Sequence, residues 1–269
     1  MTEGSVPVAL CRDDYTGPGE GTTRAVPLEV PIAIELNGVA YAVMMATPLD
    51  LDDYITGFLL SEGLADAAEI GEAEFTSVAE GTGIVARLNL PPHRAGPLME
   101  RARRRLGDSS CGICGIESVE LALRPLPRLA VPARVESSAI RRGLAAMRAG
   151  QVLGRETSAT HAAAFCRTDG TLVALREDVG RHNALDKLIG ALARQGEDPA
   201  AGFIAVTSRC SYELVEKAVR AGCPLLVAIS APTSLAIERA RAARLSLAVL
   251  ARDDAMLWVD PSPERGGNS

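Results

Sequence analysis

Two cysteines, Cys111 and Cys114, stand three positions apart in the segment Ser109–Gly115, and a glycine follows each of them. A thiol can carry a transferable sulfur atom, form a disulfide or bind a soft metal ion. Serine and glycine favour irregular backbone over a helix interior, so we predict that the pair lies on a loop that reaches outward. This loop is the first candidate for a site of chemistry.

The spacing of the pair leaves three kinds of site open: half of a zinc site, a dithiol redox pair, or a nucleophile with a helper thiol. Zinc needs a second pair of ligands, but the chain has three histidines and no second Cys-x-x-Cys, which disfavours a metal site. A thioredoxin-type pair opens a helix, whereas Gly115 and the strand-like run Ser118–Leu123 follow here. The pair therefore indicates sulfur chemistry, although the spacing alone does not select one of these sites.

A second group of polar residues occupies the run Arg176–Asn183, in which we predict that Asp178 caps a helix reaching about Arg194. Arg181, His182 and Asn183 then fall in the first turn, where backbone N–H groups and the helix dipole favour an anion such as phosphate. The alternative is a well-capped helix with a solvated first turn. His161, which stands alone after Thr160, is more often a hydrogen-bonded structural group than a catalyst.

Two further polar runs, Thr207–Arg209 and Ser230–Ser234, fall where predicted strands end and helices begin. Ligands bind at the carboxyl ends of strands in open α/β sheets, and Ser, Thr and Arg suit phosphate or sugar hydroxyls. Each run by itself indicates no more than helix capping. Together with the Asp178 helix they favour an anionic ligand such as a nucleotide, although no Walker A or Rossmann glycine pattern is present.

Composition limits what kind of protein holds these residues. The 269-residue chain is 47% hydrophobic and 23% charged, and its net charge of -6 gives no overall attraction to nucleic acid. No apolar run approaches the length needed to span a bilayer, and the first residues lack the apolar region of a signal peptide. We therefore expect a cytoplasmic protein without a membrane partner, whose six cysteines stay reduced.

The sequence pattern of the first half of the chain predicts short strands with one or two helices. Residues 1–26 show no periodic pattern of apolar residues, which predicts a flexible tail. Alternating apolar residues on both sides of Asn37-Gly38 predict a hairpin. Asp50 is predicted to cap a helix that Gly63 ends. The remaining predictions are a strand over Ile84–Leu90, a basic helix over Pro97–Leu106, and a boundary at Pro125, Pro127 and Pro132.

After Ser137 the pattern changes to alternating strands and helices. Ser138–Met147 is amphipathic, and Asp169-Gly170 predicts a second hairpin. Buried runs such as Phe203–Val206 and Leu225–Ile229 alternate with helical patterns such as Tyr212–Ala221. Short connections between strand, helix and strand predict a three-layer α/β sheet that is at least partly parallel.

These motifs together resemble the FdhD family of formate dehydrogenase accessory sulfurtransferases, over about Pro27 to Val259. The longest matching block runs from Glu177 to Lys187. The other matching motifs are Asn37-Gly38, Thr47-Pro48, Gly57-Phe58 with Glu62-Gly63, Cys111-Gly-Ile-Cys114-Gly, Thr160–Ala163 and Ala231–Ala236. The chain departs from the family pattern at Ser158, Ala159, Ser208, Leu250, Asp253 and Ala255.

The resemblance implies a sulfur carrier. It implies that a cysteine desulfurase passes sulfur to Cys111 as a persulfide and that Cys114 assists. The sulfur then goes to the molybdenum bis(molybdopterin guanine dinucleotide) cofactor before that cofactor enters formate dehydrogenase. The cofactor is thus a bound substrate, with no permanent cofactor or metal. The family's cofactor-binding segment falls on Leu250, Ala251, Arg252, Asp253, Asp254 and Ala255, and Arg209, Arg181, His182 and Asn183 suit the same ligand.

The resemblance also implies a fold and an assembly: a three-layer cytidine-deaminase-like C-terminal domain, a smaller N-terminal α+β part, and a homodimer. We place the N-terminal part at 27–135, the α/β domain at 136–260 and a tail at 261–269. A non-catalytic chaperone that binds the molybdenum cofactor is the alternative function. A zinc deaminase is rejected, because the chain has no His-x-Glu and no proline before Cys111.

Overall fold

The computed structural model describes residues 2–13, 20–96, 125–130 and 135–259. The strands are β1 (Ser5–Arg12), β2 (Glu20–Pro27), β3 (Val30–Leu36), β4 (Val39–Ala46), β5 (Glu74–Val78), β6 (Gly83–Leu88), β7 (His161–Arg167), β8 (Leu172–Asp178), β9 (Gly202–Val206), β10 (Leu225–Ala228), β11 (Ser246–Val249) and β12 (Leu257–Val259). The helices are α1 (Leu51–Ser61), α2 (Ser137–Gly150), α3 (Val152–Thr157), α4 (Arg181–Gln195), α5 (Tyr212–Arg220) and α6 (Ser234–Ala243). Residues 92–96 are also helical.

A six-stranded sheet forms the larger layer, in the order β12-β11-β10-β9-β7-β8. Strands β9, β10 and β11 are parallel, and the other three run antiparallel to their neighbours. One face packs against α4, α5 and α6, and the opposite face packs against α2. The short strands are buried on both faces, which explains their continuous apolar sequences. The predicted partly parallel three-layer α/β arrangement is confirmed.

The N-terminal sheet has four strands in the order β4-β3-β6-β5 and packs on α1. In β3 the buried positions alternate, with Ile32, Ile34 and Leu36 facing the core. Asn37 and Gly38 have φ values of 52° and 75°, as a tight two-residue hairpin requires, so the predicted turn is confirmed. The second predicted hairpin is also present, between β7 and β8.

Helices α1 and α4 join the two sheets through a crossing with no space for side chains. A Cβ at Gly57 of α1 would lie 1.7 Å from the carbonyl oxygen of Asp186, and one at Gly190 of α4 would lie 1.8 Å from the carbonyl oxygen of Asp53. The obstacles are backbone atoms, which cannot turn aside. Glycine at both positions therefore sets the distance between the two helices.

The structure differs from the prediction for residues 1–26, where a flexible tail was expected. β1 and β2 pair antiparallel from Ser5 opposite Pro27 to Arg12 opposite Glu20. Ladder hydrogen bonds need no particular side chains, and most residues of this ribbon are exposed, so the sequence carries no buried stripe that could reveal it. The Thr2 amide also donates to Glu156 Oε2 (2.9 Å) and fixes the start of the ribbon on α3.

Two predicted helix caps are wrong in detail. Asp50 occupies the N-cap position of α1, but its side chain accepts no backbone hydrogen bond and lies 3.5 Å from Arg176 Nε. The N-cap residue of α4 is Gly180, because Asp178 is still the last residue of β8. The Asp50 carboxylate lies near Arg176, and the Asp178 carboxylate pairs with Lys187 while it also accepts from the Gly180 amide (2.7 Å).

Several predictions fall outside the described residues: the Cys111 and Cys114 loop, the helix over Pro97–Leu106, the strand-like run Ser118–Leu123, Pro132 and the tail at 261–269. The division of the chain at residue 135 stays a prediction. Among the described ranges, no helix combines the length and the apolar composition that crossing a membrane would need.

Candidate functional site

The polar runs predicted from the sequence meet along one edge of the six-stranded sheet. The parallel strands β9, β10 and β11 all end there, and antiparallel pairing brings the start of β7 and the end of β8 to the same edge. The Cys210 amide donates to Ala231 O (3.1 Å) and the Leu250 amide to Ser230 O (3.3 Å), which joins neighbouring loops. We call this the carboxyl edge, formed by His161, Asp178–Asn183, Thr207–Glu213, Ile229–Thr233 and Leu250–Ala255.

The carboxyl edge gathers most of the sequence-predicted site residues. Arg181 and His182 open α4, Arg209 follows β9, and the segment 250–255 follows β11. Such an edge is where open α/β sheets bind ligands, because loops rather than side chains of the core are presented there. Cys111 and Cys114 lie outside the described residues. Their chemistry stays a prediction.

The block from Glu177 to Lys187, the longest motif of the family resemblance, is largely structural. Glu177 accepts hydrogen bonds from the amides of Leu153 (2.9 Å) and Gly154 (2.7 Å), and so caps the first turn of α3. The Asp178 carboxylate is fully buried, 2.7 Å from Lys187 Nζ. These groups stabilise the protein rather than face a ligand.

Thr47, at the end of β4, completes this buried pair. Its amide donates to Asp178 Oδ2 (3.0 Å), and its carbonyl oxygen accepts from Lys187 Nζ (2.9 Å). Every charge in the cluster is thus matched within the protein, as burial requires. The Thr47-Pro48 motif of the sequence connects the N-terminal sheet to the start of α4.

Asn183 was predicted to contact a cofactor, but its amide is already used. Nδ2 donates to Met45 O (2.8 Å) and to Asp178 Oδ1 (2.9 Å), which uses both amide hydrogens. Its oxygen accepts from the Tyr54 hydroxyl (3.3 Å). Burial and the Asp186 carboxylate raise the pKa of Tyr54, which keeps this hydroxyl protonated. These hydrogen bonds therefore indicate a structural role for Asn183.

A second buried pair involves Asp186, the residue directly before Lys187 on α4. Lys217 Nζ is 2.8 Å from Asp186 Oδ1 and also donates to Ser61 Oγ (2.8 Å). Although burial lowers the pKa of Lys217, Asp186 and Glu62 raise it by a larger amount, so the lysine stays charged. Asp178–Lys187 and Asp186–Lys217 use both lysines of the chain, and each pair sits where α4 meets another element.

Two further residues of the block, Arg181 and His182, form the start of α4 at the carboxyl edge. Arg181 Nε and His182 Nε2 are screened from solvent and have no hydrogen-bond partner among the described residues. Burial and the charge of Arg181 lower the pKa of His182 to about 4, and the same two causes lower the pKa of His161. Both imidazoles are therefore neutral at pH 7 and can donate or accept a hydrogen bond.

The predicted cofactor segment forms one wall of a cavity of about 480 Å³. Residues 251–256 line it together with Trp258, and the first turns of α2 contribute the opposite wall with Ser137, Ser138 and Arg141. Asp253 is ion-paired to Arg148 (3.0 Å), which lowers the pKa of its carboxyl and neutralises part of the acidic charge there. The cavity has the room and the polar rim that a heterocycle or a phosphate needs.

The cysteines outside the loop differ sharply in exposure. Cys11 is exposed on β1, whereas Cys166, Cys210 and Cys223 are fully buried. Burial raises the pKa of each of these three thiols to about 12. Since the thiolate is the reactive form, none of the three can serve as a sulfur carrier.

This contrast gives a testable prediction about thiol reactivity. At pH 8 a thiol of pKa about 12 has a thiolate fraction about a thousandfold lower than an ordinary cysteine. We expect brief treatment of the folded protein with iodoacetamide to modify Cys11 and to leave Cys166, Cys210 and Cys223 unmodified, as read by peptide mass spectrometry. Labelling in denaturant is the control. Rapid labelling of any buried cysteine without denaturant would contradict the structure.

Four residues that lie at the carboxyl edge, or that contact the residues forming it, were not predicted from the sequence. Tyr54 was hidden in the apolar stripe of α1, and Thr47 looked like a strand terminator. Ser211 and Glu213 read as an ordinary helix start, but Ser211 Oγ and Glu213 Oε2 are buried without a partner among the described residues. The serine and the acid at the start of α5 were a signal that could have found the last two.

Comparison with known proteins gives a consistent result. A family model described as FdhD/NarQ family matches residues 27–262. The chain is 47% identical over 238 residues to "Sulfur carrier protein FdhD" of Xanthomonas campestris pv. campestris (strain B100), which covers 88% of this chain and 84% of that protein. It is 46% identical over 240 residues to the protein of the same name from Variovorax paradoxus (strain S110), with 88% and 85% covered.

A solved structure supports the fold independently. It is described as a formate dehydrogenase accessory protein from Desulfotalea psychrophila, and it aligns with a TM-score of 0.75 over 97% of this chain and 99% of that chain. The sequence identity is 23%, so this likeness concerns the arrangement of the backbone alone. The arrangement of sheets and helices described above is thus shared with an experimentally determined structure.

Proposed function

This chain belongs to the FdhD/NarQ family, and from that premise we propose that it carries sulfur on Cys111 to the molybdenum cofactor of a formate dehydrogenase. The observation that carries the proposal is the family match over residues 27–262, which includes the Cys111-x-x-Cys114 pair, with relatives named sulfur carriers at 47% identity. The buried state of Cys166, Cys210 and Cys223 supports the loop pair as the reactive thiols.

Two balanced steps describe the proposed transfer. First, the Cys111 thiolate attacks the outer sulfur of a persulfide on a cysteine desulfurase. The bond between the two donor sulfurs breaks, and the donor leaves as a thiolate. Second, the Cys114 thiolate attacks Cys111 Sγ, which forms a Cys111–Cys114 disulfide and releases the outer sulfur as hydrosulfide to the molybdenum centre. The electron pair that reduces this sulfur comes from the Cys114 thiolate.

The carboxyl edge is the proposed place of the cofactor, which is a substrate of this protein. Arg209 and Arg252 follow strands that end at this edge, where they suit the phosphates of a dinucleotide. Arg181 Nε and His182 Nε2 have no hydrogen-bond partner in the part of the chain that the structure describes, which is compatible with contacts to this substrate. We propose a formate dehydrogenase and a cysteine desulfurase as partners, a homodimer as the assembly, and the cytoplasm, where thiols stay reduced, as the place of action.

Mass spectrometry of the protein after incubation with a cysteine desulfurase and cysteine tests the proposal. We expect the peptide that contains Cys111 to gain one sulfur atom, which reductant removes. The Cys111→Ala variant should show no gain. The Cys114→Ala variant should accumulate the persulfide, because the step that releases the sulfur is missing. The activity of a formate dehydrogenase matured with each variant should be lost in parallel.

Cys11→Ala is the matched control, because Cys11 is an exposed thiol far along the chain from the loop. This variant should carry sulfur like the unmodified protein. If neither loop cysteine gains sulfur from an active donor, and Cys111→Ala still activates its client, the sulfurtransferase proposal is wrong. A cofactor-binding chaperone would then be the better interpretation.

A further inference from the structure

A cavity of about 460 Å³ lies where α1 meets α4 and α5, away from the carboxyl edge. The last turns of these three helices line it, together with residues 63–67 and Pro127. Helix α4 begins at the carboxyl edge and reaches this cavity with Ile189 and Ala193, so the two places lie toward opposite ends of one helix. Its volume is in the range of pockets that hold small molecules. We call it the junction cavity.

Arg220, the last residue of α5, brings an unpaired positive charge to the junction cavity. Its guanidinium lies against the backbone of Gly63, where a Cβ would come within 3.1 Å of Nη1, so the missing side chain leaves room for it. Arg220 makes no hydrogen bond or ion pair with any residue that the structure describes. Glu216, one turn earlier on α5, interacts with this charge but is ion-paired with Arg239. The N–H donors of Arg220 thus remain for a ligand.

The two acids that line the junction cavity are already neutralised. Asp66 Oδ2 lies 2.7 Å from Arg94 Nη2, and both carboxylate oxygens of Glu197 accept from Arg167 Nη2 (3.0 and 2.9 Å). These two pairs cancel, which leaves the positive charge of Arg220 as the excess. The cavity therefore favours an anion over a cation.

The ends of the three helices already use carbonyl oxygens of their last turns, which would otherwise attract a cation. In each case a backbone amide just past the helix donates to the carbonyl oxygen five positions earlier. These bonds are Leu64 N to Leu59 O (2.9 Å), Glu197 N to Leu192 O (3.0 Å) and Cys223 N to Ala218 O (3.0 Å).

The rest of the lining is mostly apolar, with Leu60, Ile189 and Ala193 on the helices. We propose that the junction cavity binds a small carboxylic acid, with its carboxylate on Arg220 and its apolar body against these three residues. A guanidinium binds a carboxylate through two parallel N–H groups, and burial of the apolar body adds to the affinity. This site lies beyond the proposed sulfur transfer and does not rest on it.

Calorimetric titration of the full chain with three probes tests the proposal. 3-Phenylpropionate has both groups, 3-phenylpropanamide has the same shape without the charge, and acetate has the charge without the ring. We expect 3-phenylpropionate to bind about tenfold more tightly than either of the others. In Arg220→Gln the preference for the acid over the amide should fall to about twofold or less. Arg220→Lys should keep part of it, because lysine retains the charge but not the planar fork.

Arg128→Gln is the matched control, because it removes the same charge from an exposed arginine next to Pro127 that does not line the cavity. This variant should leave all three affinities unchanged. Ala193→Leu fills the cavity and should weaken the acid and the amide alike. The proposal is wrong if the unmodified protein does not prefer the acid, if Arg220→Gln keeps the preference, or if Arg128→Gln also loses it. Tighter binding of a peptide that ends in a free phenylalanine carboxylate, by about tenfold over the small acid, would overturn the small ligand in favour of the carboxyl terminus of a protein.

Discussion

Replacing Gly57 with alanine is expected to destabilise the protein by about 3 kcal/mol or more. The added methyl group would lie 1.7 Å from the carbonyl oxygen of Asp186 and 2.7 Å from the amide nitrogen of Gly190. Because these are backbone atoms of α4, the two helices must move apart. That movement would open the core between the sheets and shift the buried pairs on α4. Chemical denaturation, or the fraction of protein that purifies folded, measures the effect.

Gly71→Ala is the matched control for Gly57→Ala. A Cβ at Gly71 meets nothing within 4 Å, and its backbone does not require glycine. This variant should match the unmodified protein within about 0.5 kcal/mol. Gly190→Ala, whose Cβ would lie 1.8 Å from Asp53 O, should behave like Gly57→Ala. If alanine at Gly57 and at Gly190 were tolerated like alanine at Gly71, the described crossing of α1 and α4 would be incorrect.

Lys187→Met is expected to cost about 3–5 kcal/mol of stability, the usual result when one partner of a buried ion pair is removed. Methionine fills a similar volume, but it leaves the Asp178 carboxylate and the Thr47 carbonyl oxygen without their common donor. Asp178 is fully buried, so its charge has no access to water. Unfolding in urea, followed by circular dichroism, measures the loss.

The double variant Asp178→Asn with Lys187→Met separates the lost pair from lost packing. It removes the unpaired charge and should recover part of the stability, because the amide oxygen at position 178 can still accept from the Gly180 amide and from Asn183 Nδ2, whereas the amide NH2 group cannot accept from the Thr47 amide. Asp178→Asn alone should also be destabilised. Equal stability of Lys187→Met and the unmodified protein would show that the pair is not formed. Acylation of lysine side chains by an amine reagent gives a second measure of unfolding. Both lysines of the chain are buried in the folded state, so they should react only when the protein unfolds.

These two predictions concern the same junction. The N-terminal sheet, through Thr47 and α1, contacts the helix that carries Arg181 and His182. A disturbance of Gly57 or Lys187 should therefore shift the loops of the carboxyl edge as well as lower stability. Truncation of the N-terminal sheet should not leave an intact site on the six-stranded sheet, because Asp178 and Asn183 would lose partners on β4 and α1.

The sequence by itself determined most elements of the six-stranded sheet and its helices, together with their order. The two hairpins at Asn37-Gly38 and Asp169-Gly170, the alternation of strand and helix after Ser137, and the buried stripe of α4 were all predicted, because turn chemistry and apolar period are local properties. The sequence also predicted which runs meet at the carboxyl edge, since parallel strands must end on the same side. The thiol pair was recognised from its spacing alone.

Only the tertiary structure decided what the polar residues of the Glu177–Lys187 block do. Asp178 and Asn183 look like a helix cap and a solvated first turn, and their burial depends on Thr47, Met45 and Tyr54, which lie more than a hundred positions earlier. A sequence shows the type of a side chain but not the partner that desolvates it. Glycine at positions 57 and 190 brings α1 onto α4, and that contact turns these polar groups into buried pairs. Arg181 Nε, His182 Nε2 and Glu213 Oε2 are left without a hydrogen-bond partner among the described residues.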